Sequence, residues 1–292
     1  MSPLIGAMLA ALVCVGAYTA MNILFKRHAG AGGGALHLTA WLGLLAPLWG
    51  LLLGLGAPTH LLVLPPAPAY YAWCLLWALL LPGTTLLMVH LLKTLSLSEL
   101  TSARKALVTL LAVGVDYFLL GTTFTVPLLL AVGVITVAAL NLPAPPRKKI
   151  KPLPLRVRTV WLLLLAALFT LQLLAYKRAL AYQPDLVSHI VVIKLAAALC
   201  CLPLFFFMGK GPKQRPAAGL ILGVVVCYFV GSVAEGYALR GLPLTVLVAI
   251  TTATAALMAL HDLIRKDLPR TGEAFAMLAL IFAGFALLAF AG

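Results

Sequence analysis

Along almost the whole chain, long apolar stretches follow one another, each closed by glycine, proline or a basic residue. A helix needs about 20 mostly apolar residues to cross the hydrocarbon core of a bilayer, and these stretches have that length. Composition points the same way. Only 10% of the 292 residues are charged and 63% are hydrophobic, whereas soluble domains carry roughly 25% charged residues. A soluble fold of this size needs more polar surface to cover its core. The chain therefore reads as an all-α, polytopic membrane protein whose solvent is lipid.

The punctuation predicts about ten spans, near residues 3–25, 36–56, 70–92, 98–120, 124–141, 157–178, 186–208, 217–239, 243–262 and 272–291. The segment NLPAPPRKKIKPLPLRVR (141–158) is rich in proline and cations and has no apolar period. It separates a first half, residues 1–141, from a second, 157–292, through a basic linker at 142–156. The N-terminal stretch lacks a basic leader and is long enough to span, so it reads as a first helix and not as a cleaved signal. Cysteines 14, 74, 200, 201 and 227 all lie in apolar runs without a CxxC spacing. They behave as small hydrophobes, and neither a disulfide nor a metal site is expected, nor any cofactor.

The formal charge of +14 does not mark a nucleic-acid binder. The cations sit at the ends of apolar runs and in the linker, with no basic stripe interleaved with aromatics. Their distribution is a topology signal. Lys26, Arg27, Lys93, the linker cations, Lys210, Lys213, Arg215, Arg265, Lys266 and Arg270 fall on one side. Only Lys177, Arg178 and Arg240 fall on the other. The bias places the linker in the cytoplasm and both termini outside.

With five spans in each half, an internal repeat is expected to insert the second copy upside down. Two echoes support one. The joint HLLKTLSLSEL (90–100) recurs as YALRGLPLTVL (237–247), with Leu92, Leu95, Leu97 and Leu100 matching Leu239, Leu242, Leu244 and Leu247, and Lys93 matching Arg240. Phe25-Lys26-Arg27 recurs as Tyr176-Lys177-Arg178. This pattern resembles the drug/metabolite transporter superfamily, EamA type. Members often carry Gly-Glu after the fourth and ninth helices; here Gly272-Glu273 keeps it, while Gly121-Thr122 stands in the first half. The resemblance implies a ten-helix transporter of two inverted five-helix repeats, with the first four helices of each around a central cavity. It also implies termini inside, against the charge bias. It names no substrate.

Several polar groups lie inside the apolar runs, where an ionised side chain is costly and usually faces a cavity or a partner. Lys194 interrupts HIVVIKLAAALCC (189–201), and its helical neighbours Ile190, Val191, Ala197 and Ala198 offer no carboxylate. It reads as a substrate contact, a snorkelling lysine or half of a pair with another helix. In the fourth span Ser98, Thr101, Lys105, Thr109, Ala112 and Asp116 recur at spacings of three and four, making one polar stripe. Such a stripe is the wall of a wet cavity or a helix-packing seam. The eighth span repeats the theme with Tyr228, Ser232 and Glu235. Glu235 can carry a coupling proton, hold an ammonium, or pair with Lys194, Lys105 or Arg240. Tyr18 with Asn22, Gln172 with Tyr176, and Thr252 on the ninth span can line the same space or pack helices. His261-Asp262 resembles a fragment of a catalytic or metal pair, but adjacent helical residues are expected to point about 100° apart.

The expected substrate-binding set is thus Lys105, Lys194, Glu235, Thr109, Tyr18, Asn22, Tyr176, Tyr228, Ser232 and Thr252. These residues fit a secondary transporter of a small anionic or zwitterionic metabolite, working by alternating access in the cell (inner) membrane. The lysines would hold the acid group and Glu235 an amine or proton. The alternatives are a flippase for a polyprenyl-phosphate-linked sugar and an intramembrane lipid-phosphate enzyme. The last generally needs clustered acids for Mg²⁺, and the one acid cluster, Asp262 and Asp267 with Glu273, is interrupted by Arg265 and Lys266. Pro82-Gly83 in the third span is a candidate hinge, and Ala276, Ala279, Ala283 and Ala286 form a small-residue face suited to a homodimer.

Overall fold

The computed structural model describes residues 3–30, 45, 63–92, 94–143, 154–183, 185–207, 218–265 and 271–291. The second expected span (36–56) and most of the linker lie outside the described residues. Within them all regular structure is helical: α1 (Pro3–Gly30), α2 (Pro68–Leu92), α3 (Leu97–Leu120), α4 (Val126–Leu140), α5 (Leu155–Tyr182), α6 (Leu186–Phe207), α7 (Ala218–Gly241), α8 (Leu244–Thr251), α9 (Ala253–Ile264) and α10 (Gly272–Ala291).

Seven segments among the described residues are long and apolar enough to cross a bilayer, α8 and α9 counting together as Leu244–Ile264. α3 and α4 are not among the seven. α3 carries Glu99, Arg104, Lys105 and Asp116, and α4 has 15 residues. The chain is a polytopic helical membrane protein. Exposed Leu, Val and Phe along the helices, such as Leu12, Leu79, Phe118, Leu199 and Phe290, are what a lipid-facing surface requires, since hydrocarbon leaves no penalty on apolar exposure.

The helices gather into two compact units, each taking helices from both halves of the sequence. The first comprises Met1–Val89 and Leu171–Gly241, the second His90–Thr170 and Leu242–Gly292. In the first unit α1 packs closely along α7. Gly231 makes this possible: a Cβ there would lie 2.6 Å from the Tyr18 ring, so only a residue without one lets the tyrosine cross. Tyr70, Cys74 and Ala179 form a buried cluster with Trp73 and Val192 against it, joining α2, α5 and α6.

In the second unit the core is built from small side chains. Ala106, Ala138, Ala139, Ala255, Ala256 and Ala259 are buried together with Ile281, and such residues let membrane helices approach closely. α3 has defined ends. Ser96 caps its start by accepting from the Glu99 N–H, and Gly121 ends it in the left-handed region at φ 65°, its N–H donating to the Asp116 carbonyl. That conformation favours glycine. The ninth expected span is interrupted at Thr252, where the backbone N–H reaches both the Val248 and Ala249 carbonyls and the Thr252 hydroxyl donates to Val248 O.

Candidate functional site

Lys194 stands nine residues into α6 and is 2% exposed. Nothing on its own helix can balance it, and the balance comes from neighbouring helices. Its Nζ donates to Ser232 Oγ at 2.9 Å. The same nitrogen lies 4.0 Å from the centroid of the Tyr228 ring and 5.1 Å from that of Trp77. A cation over an aromatic face gains about 0.5–2 kcal/mol, more when desolvated. One hydroxyl and two rings offset part of the desolvation cost of a buried ammonium, which amounts to several kcal/mol. A lysine that was snorkelling would instead extend to the interface.

Ser232 is positioned by its own helix, donating to the Tyr228 carbonyl at 2.8 Å. From α5, Tyr176 donates to the Ser232 carbonyl at 3.3 Å and packs its ring 6.0 Å from Trp77. One turn further along α7, Glu235 accepts from the Tyr18 hydroxyl at 2.9 Å. Spacings of four and three put Tyr228, Ser232 and Glu235 on one face of α7. The first unit thus gathers a cation, a carboxylate, three tyrosines and a tryptophan from five helices. Asn22, one turn along α1 from Tyr18, is also buried. Seven of the ten expected site residues belong to this unit.

The cluster continues from Tyr176 toward the start of α6. The His189 ring lies 4.9 Å from that of Tyr176 and 5.8 Å from that of Tyr70, and the Tyr70 hydroxyl is 3.2 Å from His189 Nδ1. Gln172 donates to the Trp77 carbonyl at 3.5 Å. Near the helix ends Arg240 donates to the Gln183 carbonyl at 2.9 Å, and the Gln183 side chain donates to Val63 O. Sequence reasoning missed Trp77 and His189. Trp77 lies in a span with no polar period, and His189 stands at a span edge where a histidine is unremarked. Trp77 faces Lys194 only because α2 packs there, a fact no spacing along α2 contains.

The other three expected residues belong to the second unit. Lys105 donates to Thr251 Oγ1 at 2.8 Å. Thr109 is fully buried and donates to its own helix at the Lys105 carbonyl. Thr252 marks the interruption between α8 and α9. Along the polar stripe, Ser98 donates to Asp262 Oδ2 at 2.6 Å, and Asp116 accepts from the Leu244 and Thr245 N–H groups at 3.1 and 2.7 Å. Ser98, Lys105 and Asp116 therefore bind, in reverse order, groups near the end, middle and start of the ninth span. At these three positions the stripe is a seam between antiparallel helices. Arg104 places its guanidinium 4.4 Å over Phe169, and Glu99 pairs with Arg158. No group of three metal-ligating side chains occurs among the described residues.

The fold is shared with a protein of known structure. A crystal structure of a protein superposes on this one with a TM-score of 0.71, covering 97% of this chain and 96% of its own, at 18% identity. The likeness is one of fold. No family model and no curated protein matches the sequence.

Proposed function

We propose that the chain is a secondary transporter of the EamA type that carries a small anionic or zwitterionic organic metabolite by alternating access across the cell (inner) membrane. The observation that carries this reading is the buried Lys194 amine, held among the described residues by one serine hydroxyl and two aromatic faces. An intramembrane cation so placed is functional by default. Its direct partners, one hydroxyl and two rings, are neutral and Glu235 is engaged by Tyr18, so an incoming carboxylate or phosphate adds a negative group in direct contact with the amine. Glu235, on the same face of α7 and bound to Tyr18, supplies a negative group for an amine or a coupling proton.

The inverted-repeat organisation is supported by the seam of the second unit. In the echo that aligns Leu97 with Leu244, Ser98 corresponds to Thr245. Both are gripped by an aspartate near the far end of the opposing helix segment. Charge bias supports a cytoplasmic linker and termini outside.

The test is a ligand-stabilisation screen of the purified protein in detergent. Amino acids, sugar phosphates, nucleotide sugars, choline and polyprenyl phosphates are compared on wild type and Lys194→Met. A melting shift from an anionic or zwitterionic compound that disappears in the variant is the expected result. Shifts from choline alone, or an equal response in both proteins, overturn the anion reading. A shift confined to polyprenyl phosphates favours the flippase.

A further inference from the structure

His189 is fully buried, and its Nε2 has no hydrogen-bond partner among the described residues. Buried polar groups are almost always paired, and an exception calls for a reason. The other two buried side-chain atoms without partners among the described residues are the hydroxyls of Thr245 and Thr254. A hydroxyl has a rotor and two lone pairs, so small movements find it a carbonyl. An imidazole nitrogen has one fixed direction, set by the ring.

The ring of His189 is held on both sides. Tyr70 meets Nδ1 at 3.2 Å, and the Tyr176 ring packs 4.9 Å away. Where the Tyr70 hydroxyl donates to Nδ1, the ring proton sits on Nε2, and that nitrogen is a donor. Asp185, one turn before His189, spends its carboxylate on the Val187 and Ser188 N–H groups, and the cations Lys194 and Arg240 belong to the same unit. A buried N–H donor in such a place is matched by an anionic oxygen. Tyr176 also links this ring to the rest of the site, since it packs on Trp77 and donates to the Ser232 backbone.

We propose that His189 Nε2 is a second hydrogen-bond donor for the acidic group of the ligand, acting beside Lys194. This rests on the anion reading of the Lys194 site and deepens it. The recognised class is an organic acid whose carboxylate or phosphate offers two oxygens, one to the Lys194 ammonium and one to the imidazole N–H. Tyr70 is then a positioning residue, since it selects the tautomer and does not itself reach the ligand. His189 and Lys194 stand five residues and about 140° apart on α6, so the long lysine chain has to swing toward the imidazole for both to meet one acid, and two such donors give orientation as well as affinity.

The experiment measures binding to the full-length protein with four probes. L-leucine, 4-methylpentanoate and 3-methylbutylamine share a side chain and differ in charge, and glycerol 3-phosphate supplies a phosphate. Wild type is compared with His189→Phe, His189→Asn, His189→Gln, Tyr70→Phe and Lys194→Met. Glutamine carries its amide N–H near the place of Nε2, whereas asparagine carries it near Nδ1. The expected result is that His189→Phe and His189→Asn weaken binding of an acid probe about tenfold or more, corresponding to roughly 1.4 kcal/mol or more. His189→Gln restores it to within about threefold, and 3-methylbutylamine is unaffected throughout. Rescue by glutamine separates recognition from packing, as a merely structural ring is replaced best by phenylalanine. If Lys194→Met abolishes acid binding while all three His189 variants bind like wild type, the His189 proposal fails and the transporter reading stands. If wild type binds none of the acid probes, both fail. Weakening of the amine probe by His189→Phe also overturns the proposal, since Nε2 then acts as an acceptor.

Discussion

Asp116 and Asp262 each bind the beginning of the helix segment on which the other lies toward the end. Asp116, fully buried toward the end of α3, accepts from the first two N–H groups of α8. Asp262, fully buried toward the end of α9, accepts from Ser98 in the first turn of α3. The arrangement is nearly reciprocal. A helix start leaves N–H groups unsatisfied and carries a partial positive charge, so a carboxylate there is favourable. Pro243 precedes α8 and provides no side-chain cap, so the neighbouring helix supplies one. In lipid no water can take its place.

Replacing Asp116 by alanine is therefore expected to destabilise the protein by about 1–3 kcal/mol, the cost of leaving buried donors unpaired. Asparagine retains one acceptor oxygen and is expected to lose less. Thermal unfolding in detergent of wild type, Asp116→Asn and Asp116→Ala should give that order of midpoints. An alanine variant as stable as wild type means the two N–H groups are satisfied some other way.

Gly231 offers a packing test. An added Cβ would sit 2.6 Å from the Tyr18 ring, and yielding would drag the tyrosine away from Glu235. Overpacking of this kind costs about 1–3 kcal/mol. Gly16→Ala is the matched control, because no atom of the described residues lies within 4 Å of a Cβ there. Alanine at that interior position is expected to gain up to about 1 kcal/mol. Opposite shifts in melting midpoint support the contact, and equal shifts refute it.

Much of the first unit's polar cluster was legible in the sequence because a lysine or glutamate inside an apolar run is costly and calls for a cavity, a partner or an interface within reach. Lys194, Glu235 and the turn-spaced Tyr228 and Ser232 declared themselves that way. The fourth span also declared its stripe, yet the same spacing describes a cavity wall and a helix seam. Only the positions of Thr251, Asp262 and the start of α8 decide for Ser98, Lys105 and Asp116. Trp77 was invisible for the opposite reason: an aromatic residue in an apolar helix is ordinary until a cation is found above its ring. The seven long apolar segments were readable from composition, whereas α3 is too charged and α4 too short for the same measure, though both helices form.

Orientation can be tested without a ligand. The cation bias predicts that a single cysteine introduced at position 150, in a background without the native five, reacts with an impermeant maleimide only from the cytoplasmic face. A cysteine at position 292 should react only from the opposite face. The reverse pattern would mean that the loops carrying Lys177, Arg178 and Arg240 face the cytoplasm, against the positive-inside rule.

Lys194 yields the sharpest separation of stability from function. A cation kept for stability is costly to remove only if its partner is left charged and buried. Here the hydrogen-bond acceptor is the neutral Ser232 hydroxyl, which is already engaged with the Tyr228 carbonyl. Methionine has similar length, no charge to desolvate and favourable contact with aromatic rings. Lys194→Met is therefore expected to melt at or above the wild-type temperature in the absence of ligand, while losing the shift caused by an acidic compound. Lys194→Arg keeps the charge but presents a broad planar fork to a space shaped for an amine, so binding should weaken without being abolished. A methionine variant that unfolds several degrees early would instead make Lys194 a structural residue, its charge coupled to Glu235 across the same bundle.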